Sequence, residues 1–171
     1  MKTPAVKFGV YALLFTLVWT VIEHVLGYNT TNHETGQYAR MLGALVYYVL
    51  IFVAIYQTRK QQGALSFGQG VKAGMTVAVI YSIGVVIIYS IYGEVINTQF
   101  KPTLMEFERA KITATGASQQ VIDAHLKMVD MSSGGSVLSY CFLFVLMMGF
   151  GLVLSLIGSA IFRRGAAKAQ S

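Results

Sequence analysis

The sequence predicts an all-α membrane protein: four transmembrane helices in a four-helix bundle, with an extramembrane amphipathic helical hairpin between helices three and four. Three observations carry that expectation. Only 12% of the 171 residues are charged, against roughly a quarter in a soluble domain, and the mean hydropathy is +0.60. Four apolar stretches are each long enough, at about 1.5 Å rise per residue, to cross a hydrocarbon core of about 30 Å. All seven acidic residues fall on one side of the topology that these stretches impose. The chain reads as a single membrane domain, 1–171, without internal repeats.

Span one covers about 8–26. Phe8 and Tyr11 at its near end, and Trp19 and Tyr28 at its far end, suit the two membrane interfaces. Its apolar run is rich in bulky residues and is followed by EHVLGYN rather than a small-x-small cleavage site, so it reads as an uncleaved span. Glu23 lies near its outer end, where a carboxylate is expected to snorkel outward. A short polar link, 27–37, leads to span two, about 38–56, with Arg40 placed to snorkel from the first turn and Arg59 and Lys60 at the exit.

After a tight hairpin through Gly63, Ser66 and Gln69 form a capping-box pattern that opens span three, about 71–93. Gly70, Gly74, Ala78 and Ser82 recur every fourth residue and put small side chains on one face, where another backbone can approach closely. Span four, about 137–162, offers Gly151, Ser155 and Ser159 at the same spacing, so the two stripes are expected to pack together.

Between them the composition changes. The outer insert, about 97–135, contains Pro102 in the first turn of one helix, Gly116 at its C-terminal end and Ser118 at the start of a second. Leu104, Phe107 and Ile112 make the first helix apolar on one side, with Glu106–Arg109 and Glu108–Lys111 expected as surface pairs. In the second helix Val121, Ile122, His125, Leu126 and Val129 share a face. Ser132, Ser133, Gly134, Gly135 and Ser136 form the joint to span four.

Charge orients the chain. With four spans both termini share a side, and that side receives Lys2, Lys7, Arg59, Lys60, Lys72, Arg163, Arg164 and Lys168 with no acidic residue. The short-loop bias places both termini in the cytoplasm. The net charge of +6 is therefore a topology signal, and nucleic acid is not expected as a partner. The expected partners are the lipid bilayer together with another protein or a second copy of the chain.

Few residues carry chemistry. Glu23, His24, His33, Glu34, Asp123, His125 and Asp130 fall on the outer side, where imidazoles and carboxylates could gather zinc or relay protons. No diagnostic ligand spacing joins them, and no metal or cofactor is expected. Tyr81, Tyr89 and Tyr92, with Ser82 and Ser90, give span three polar tips that line a path or bond neighbouring helices. The candidate functional residues are Glu23, His24, Tyr89 and His125. Gly68-Gln69-Gly70-Val71-Lys72-Ala73 imitates a dinucleotide-binding turn, but it opens a membrane span rather than linking a strand to a helix. The single Cys141 excludes an intramolecular disulfide, and Asn29-Thr30-Thr31 fits a glycosylation acceptor beside the membrane.

The basic-flanked hairpin, SFGQGVKAGM opening span three, the aromatic end of that span and the Pro-containing insert before a final span together resemble an uncharacterised four-span integral membrane family, a domain of unknown function common in Bacteroidetes. The resemblance covers nearly the whole chain and implies a small inner-membrane protein with no assigned activity. On the residues alone, the expected role is non-enzymatic, structural or interaction-based through the outer insert. The alternative is a small oligomeric transporter or channel that uses Glu23 and the polar residues of span three.

Overall fold

The computed structural model describes residues 3–163. Lys2, Arg164 and Lys168, three of the basic residues that orient the chain, lie outside the described residues. In order, the elements are α1 (Pro4–Val25), α2 (His33–Gln62), α3 (Phe67–Ile91) continuing into a π-helical turn (Tyr92–Ile96), α4 (Phe100–Ala114), α5 (Gln119–Ser132) and α6 (Val137–Phe162). The fold is all-helical, and α1, α2, α3 with its π turn, and α6 are long and apolar enough to cross a membrane.

Local chemistry sets the boundaries. Pro4 opens α1, where its fixed φ suits a helix and its missing N–H costs nothing. Gly27 reverses the chain at φ +74°, and its carbonyl accepts from the N–H groups of Thr31 and Asn32. The Asn32 side chain then accepts from the Thr35 N–H at 3.2 Å. That cap starts α2 ahead of its apolar segment, and the helix also continues past that segment to Gln62. Ser66 and Gln69 form the reciprocal cap of α3: Gln69 N–H donates to Ser66 Oγ at 3.2 Å, and Ser66 N–H donates to Gln69 Oε1 at 2.8 Å. Between α2 and α3, Leu65 is fully buried and ties the turn to the core.

α3 is the central element and packs against α1, α2 and α6. A Cβ added at Gly70 would stand 2.9 Å from Ser159 Cβ, and one at Gly74 would stand 2.8 Å from Ser155 Cβ. Gly151 faces Ala78 in the same way. The Ser155 and Ser159 hydroxyls donate to carbonyls one turn back, at 2.6 and 2.5 Å, which satisfies them inside the seam. Past Ala78 an apolar groove of about 500 Å³ lies between Ile83 and Ile87 on one side and Cys141 and Phe144 on the other. Leu14, Val18 and Val21, Leu42, Leu45 and Val49, and Val153, Ile157 and Ile161 point outward, as a lipid-facing surface requires.

α4 packs against α5, and α5 against α6. Their apolar contribution is narrower than the sequence pattern. Leu104, Ile122 and Leu126 are buried, whereas Val121 is 51% exposed. The expected Glu108–Lys111 pair is replaced by contacts between elements, and no Glu106–Arg109 ion pair forms among the described residues. Glu108 Oε2 lies 2.9 Å from His125 Nε2, and Lys111 donates to Gln37 Oε1 at 2.7 Å. Partners on α5 and α2 outcompete the weak pairing available along one exposed helix face. Ser118 holds the N-cap position of α5 without a side-chain cap hydrogen bond. Gly134 and Gly135, both at φ +85°, make the sharp joint to α6, and Lys101 donates to the Gly134 carbonyl at 2.8 Å.

Candidate functional site

Thr16, Thr20 and Glu23 recur at i, i+4 and i+7 of α1, one face of the helix, and all three are buried. Glu23 therefore does not snorkel outward; it is 3% exposed. The turn after α1 folds back over it, and Asn29 Nδ2 donates to Glu23 Oε2 at 3.3 Å. Its other oxygen, Oε1, is buried without a protein partner.

Asn29 is also buried, and its Oδ1 accepts from Arg40 at 3.2 Å. Arg40, expected to reach toward solvent, instead lays its guanidinium over the Phe100 ring at 5.8 Å from the centroid. One amide thus stands between a carboxylate and a guanidinium and bonds to both. The side chain of the apparent glycosylation acceptor is committed to this internal bridge.

The π turn supplies the opposite wall. Its wider loop brings the Asn97 N–H to the Tyr92 carbonyl at 2.7 Å. Asn97 Nδ2 then donates to Asn29 O at 2.8 Å and to Tyr92 OH at 3.0 Å. The Tyr92 hydroxyl lies 3.0 Å from His24 Nδ1. Single π turns occur frequently at functional sites, because they re-aim side chains that a regular helix would keep apart.

These groups surround a cavity of about 210 Å³ whose polar lining includes Thr20, Glu23, Asn29, Arg40, Tyr89 and Tyr92. Phe100 and Leu104 of α4 and Ser132 and Ser133 at the end of α5 close it from above. Below it, Thr20 Oγ1 donates to Thr16 O at 2.8 Å, and Thr16 Oγ1 lies 3.2 Å from Tyr81 OH. Tyr81 stacks on Tyr47 at 3.9 Å between centroids, and Tyr47 OH donates to Met147 O at 3.2 Å. Beyond this pair Ile51, Ile55 and Val77, each fully buried, fill the interior.

Of the four candidate residues, Glu23 and Tyr89 line the cavity, and His24 braces its wall through Tyr92. His125 belongs to the α4–α5 contact through Glu108. His33 packs near Phe107, with Nε2 2.9 Å from Thr103 Oγ1. Among the described residues no three His, Cys, Asp or Glu side chains come together as a metal site would require. Asn97 and Thr20 were not singled out from the sequence, and Asn29 was read only as a glycosylation acceptor. The inward threonine–threonine–glutamate spacing of span one was the signal that could have found the polar face.

What these residues can do together is bind. A buried carboxylate beside a half-buried guanidinium is costly unless the remaining hydrogen-bonding capacity is met. Fold and site define a class: helical proteins of multi-pass membrane type with a charged cavity at one end of the helices. Over residues 7–164 the chain matches the family described as protein of unknown function DUF4199, and it belongs to that family. No curated protein and no solved structure matches it.

Proposed function

We propose that the protein is a non-enzymatic, multi-pass protein of the inner (plasma) membrane that binds a small polar solute in the Glu23–Arg40 cavity, with α4 and α5 as its cover. The observation that carries this reading is the buried Glu23 Oε1, which lacks a protein partner in a cavity that also contains Arg40. At about 210 Å³, the space is below that of drug-sized sites and holds roughly seven waters' worth of volume. It suits a metabolite of a few heavy atoms.

An interaction role through the insert has less support, because Ile122 and Leu126, which would be offered to a partner, are buried within the chain. Transport would need the cavity to continue across the bilayer. Ile51, Ile55 and Val77 fill the interior beyond Tyr47 and Tyr81, which favours a blind pocket. We place both termini in the cytoplasm on the charge bias, which puts the pocket and its cover on the far side.

The test is thermal unfolding of detergent-purified protein against a panel of small amines, acids, amino acids and polyols. A solute at about a hundredfold excess over its Kd stabilises by about 2.7 kcal/mol. At least one compound should raise the midpoint by several degrees in the native chain and fail to do so in Glu23→Gln. A panel in which no compound shifts the native midpoint, with Glu23→Leu less stable than the native chain, would make the buried carboxyl purely structural.

A further inference from the structure

The cavity's two charges have a relation that narrows its occupant. Glu23 and Arg40 are opposite in sign and line the same small space, yet Asn29 is interposed, accepting from Arg40 Nη1 and donating to Glu23 Oε2. Each charged group therefore spends part of its capacity on the same neutral spacer. Glu23 keeps Oε1 as an unused acceptor. Arg40 has Asn29 as its one hydrogen-bond partner among the described residues, which leaves further N–H donors of its fork uncommitted. The Phe100 ring centroid lies 5.8 Å from the guanidinium carbon, and Asn29 is itself fixed through its carbonyl by Asn97.

We infer that the solute is a small zwitterion, with an ammonium group that donates to Glu23 Oε1 and a carboxylate that accepts from the free edge of Arg40; this rests on the cavity being a binding site at all. The chemistry follows from net charge. The lining holds one carboxylate and one guanidinium, so a singly charged ligand would answer only one of them and add net charge to a largely enclosed space, at a cost. A zwitterion answers both and adds no net charge. A planar carboxylate suits an arginine fork in two-point contact, whereas a neutral alcohol meets neither group as well. Tyr89 and the Phe100 ring add apolar surface to the lining, which suits a short hydrocarbon linker.

The chain contains its own reporter. Trp19 is the single tryptophan; it precedes Thr20 on α1, and its Nε1 donates at 3.0 Å to the carbonyl of Ala39, the neighbour of Arg40. A ligand drawing Glu23 and Arg40 together alters that contact. Intrinsic fluorescence of the full chain in detergent is titrated with glycine, β-alanine and γ-aminobutyrate, which lengthen the linker stepwise, and with methylammonium, acetate and glycerol.

The expected result is a saturable change with at least one zwitterion, about tenfold or more weaker in both Glu23→Gln and Arg40→Gln, as loss of a charge-assisted contact requires. Comparison among the probes on the native chain needs no variant to fold. If methylammonium or acetate binds as tightly as every zwitterion, or if glycerol alone binds, the ligand class is wrong while the cavity remains a binding site. If no probe changes the fluorescence and the wider unfolding panel also finds no ligand, both readings fall together.

Discussion

Asn97 carries more of the cavity's order than its single amide would lead one to expect. Its Nδ2 reaches Asn29 O and Tyr92 OH, joining the turn after α1 to the π turn after α3. Removing that donor leaves the buried Asn29 carbonyl without its partner, at about 1–3 kcal/mol, and leaves the Tyr92 hydroxyl with His24 alone. Asn97→Ala should therefore lower the unfolding midpoint more than Asn32→Ala, which loses one exposed cap hydrogen bond to Thr35; urea or thermal melts in detergent compare them. At Gly74 the issue is space. A methyl group would meet Ser155 Cβ at 2.8 Å and Ile55 Cδ1 at 3.1 Å, so Gly74→Ala forces α3 and α6 apart and should cost about 1–3 kcal/mol. Val79, 39% exposed, is the matched control: Val79→Leu should change stability little, and equal losses at both positions would contradict the tight seam.

For the helices, the sequence was most informative where one physical rule acted alone. Continuous apolar length is such a rule, and the four long helices follow from it. The Ser66–Gln69 cap was legible for the same reason, since both partners lie within one turn. Legibility failed where two rules compete. Glu23 and Arg40 each had a snorkelling option, and nothing local shows that Asn29 would fold back to bridge them. Burial of α4 and α5 was readable as a pattern but not as a width, because Val121 is turned away by a rotation that only packing sets. This gives a prediction: Leu126→Ala, at a 5% exposed position, should destabilise by about 2–3 kcal/mol. Val121→Ala should stay within about 0.5 kcal/mol, and hydrogen exchange of α5 would show which substitution loosens it.

At the scale of the molecule, the segregation of acidic residues predicts an orientation that labelling can check. In a Cys141→Ser background, a cysteine at Gln120, exposed on α5, should react with an impermeant reagent from outside. One at Gln62, exposed at the end of α2, should react only after permeabilisation. The reverse pattern would invert the assignment.

The α3–α6 seam has a mechanical consequence. It is closed from Gly70–Ser159 to Ala78–Gly151 and open beyond, where Ile83 and Ile87 face Cys141 and Phe144 across the groove. Backbones in direct contact along one stretch and separated by side chains along the next are expected to move least relative to one another at the contact. The groove end of the pair carries the π turn and the start of α6, the same region that holds the cavity and its cover. Amide exchange should accordingly be slowest around Gly74 and Ser155 and rise toward Ile91 and Tyr140, and a spacer that wedges the contact, such as Gly74→Leu, should flatten that gradient.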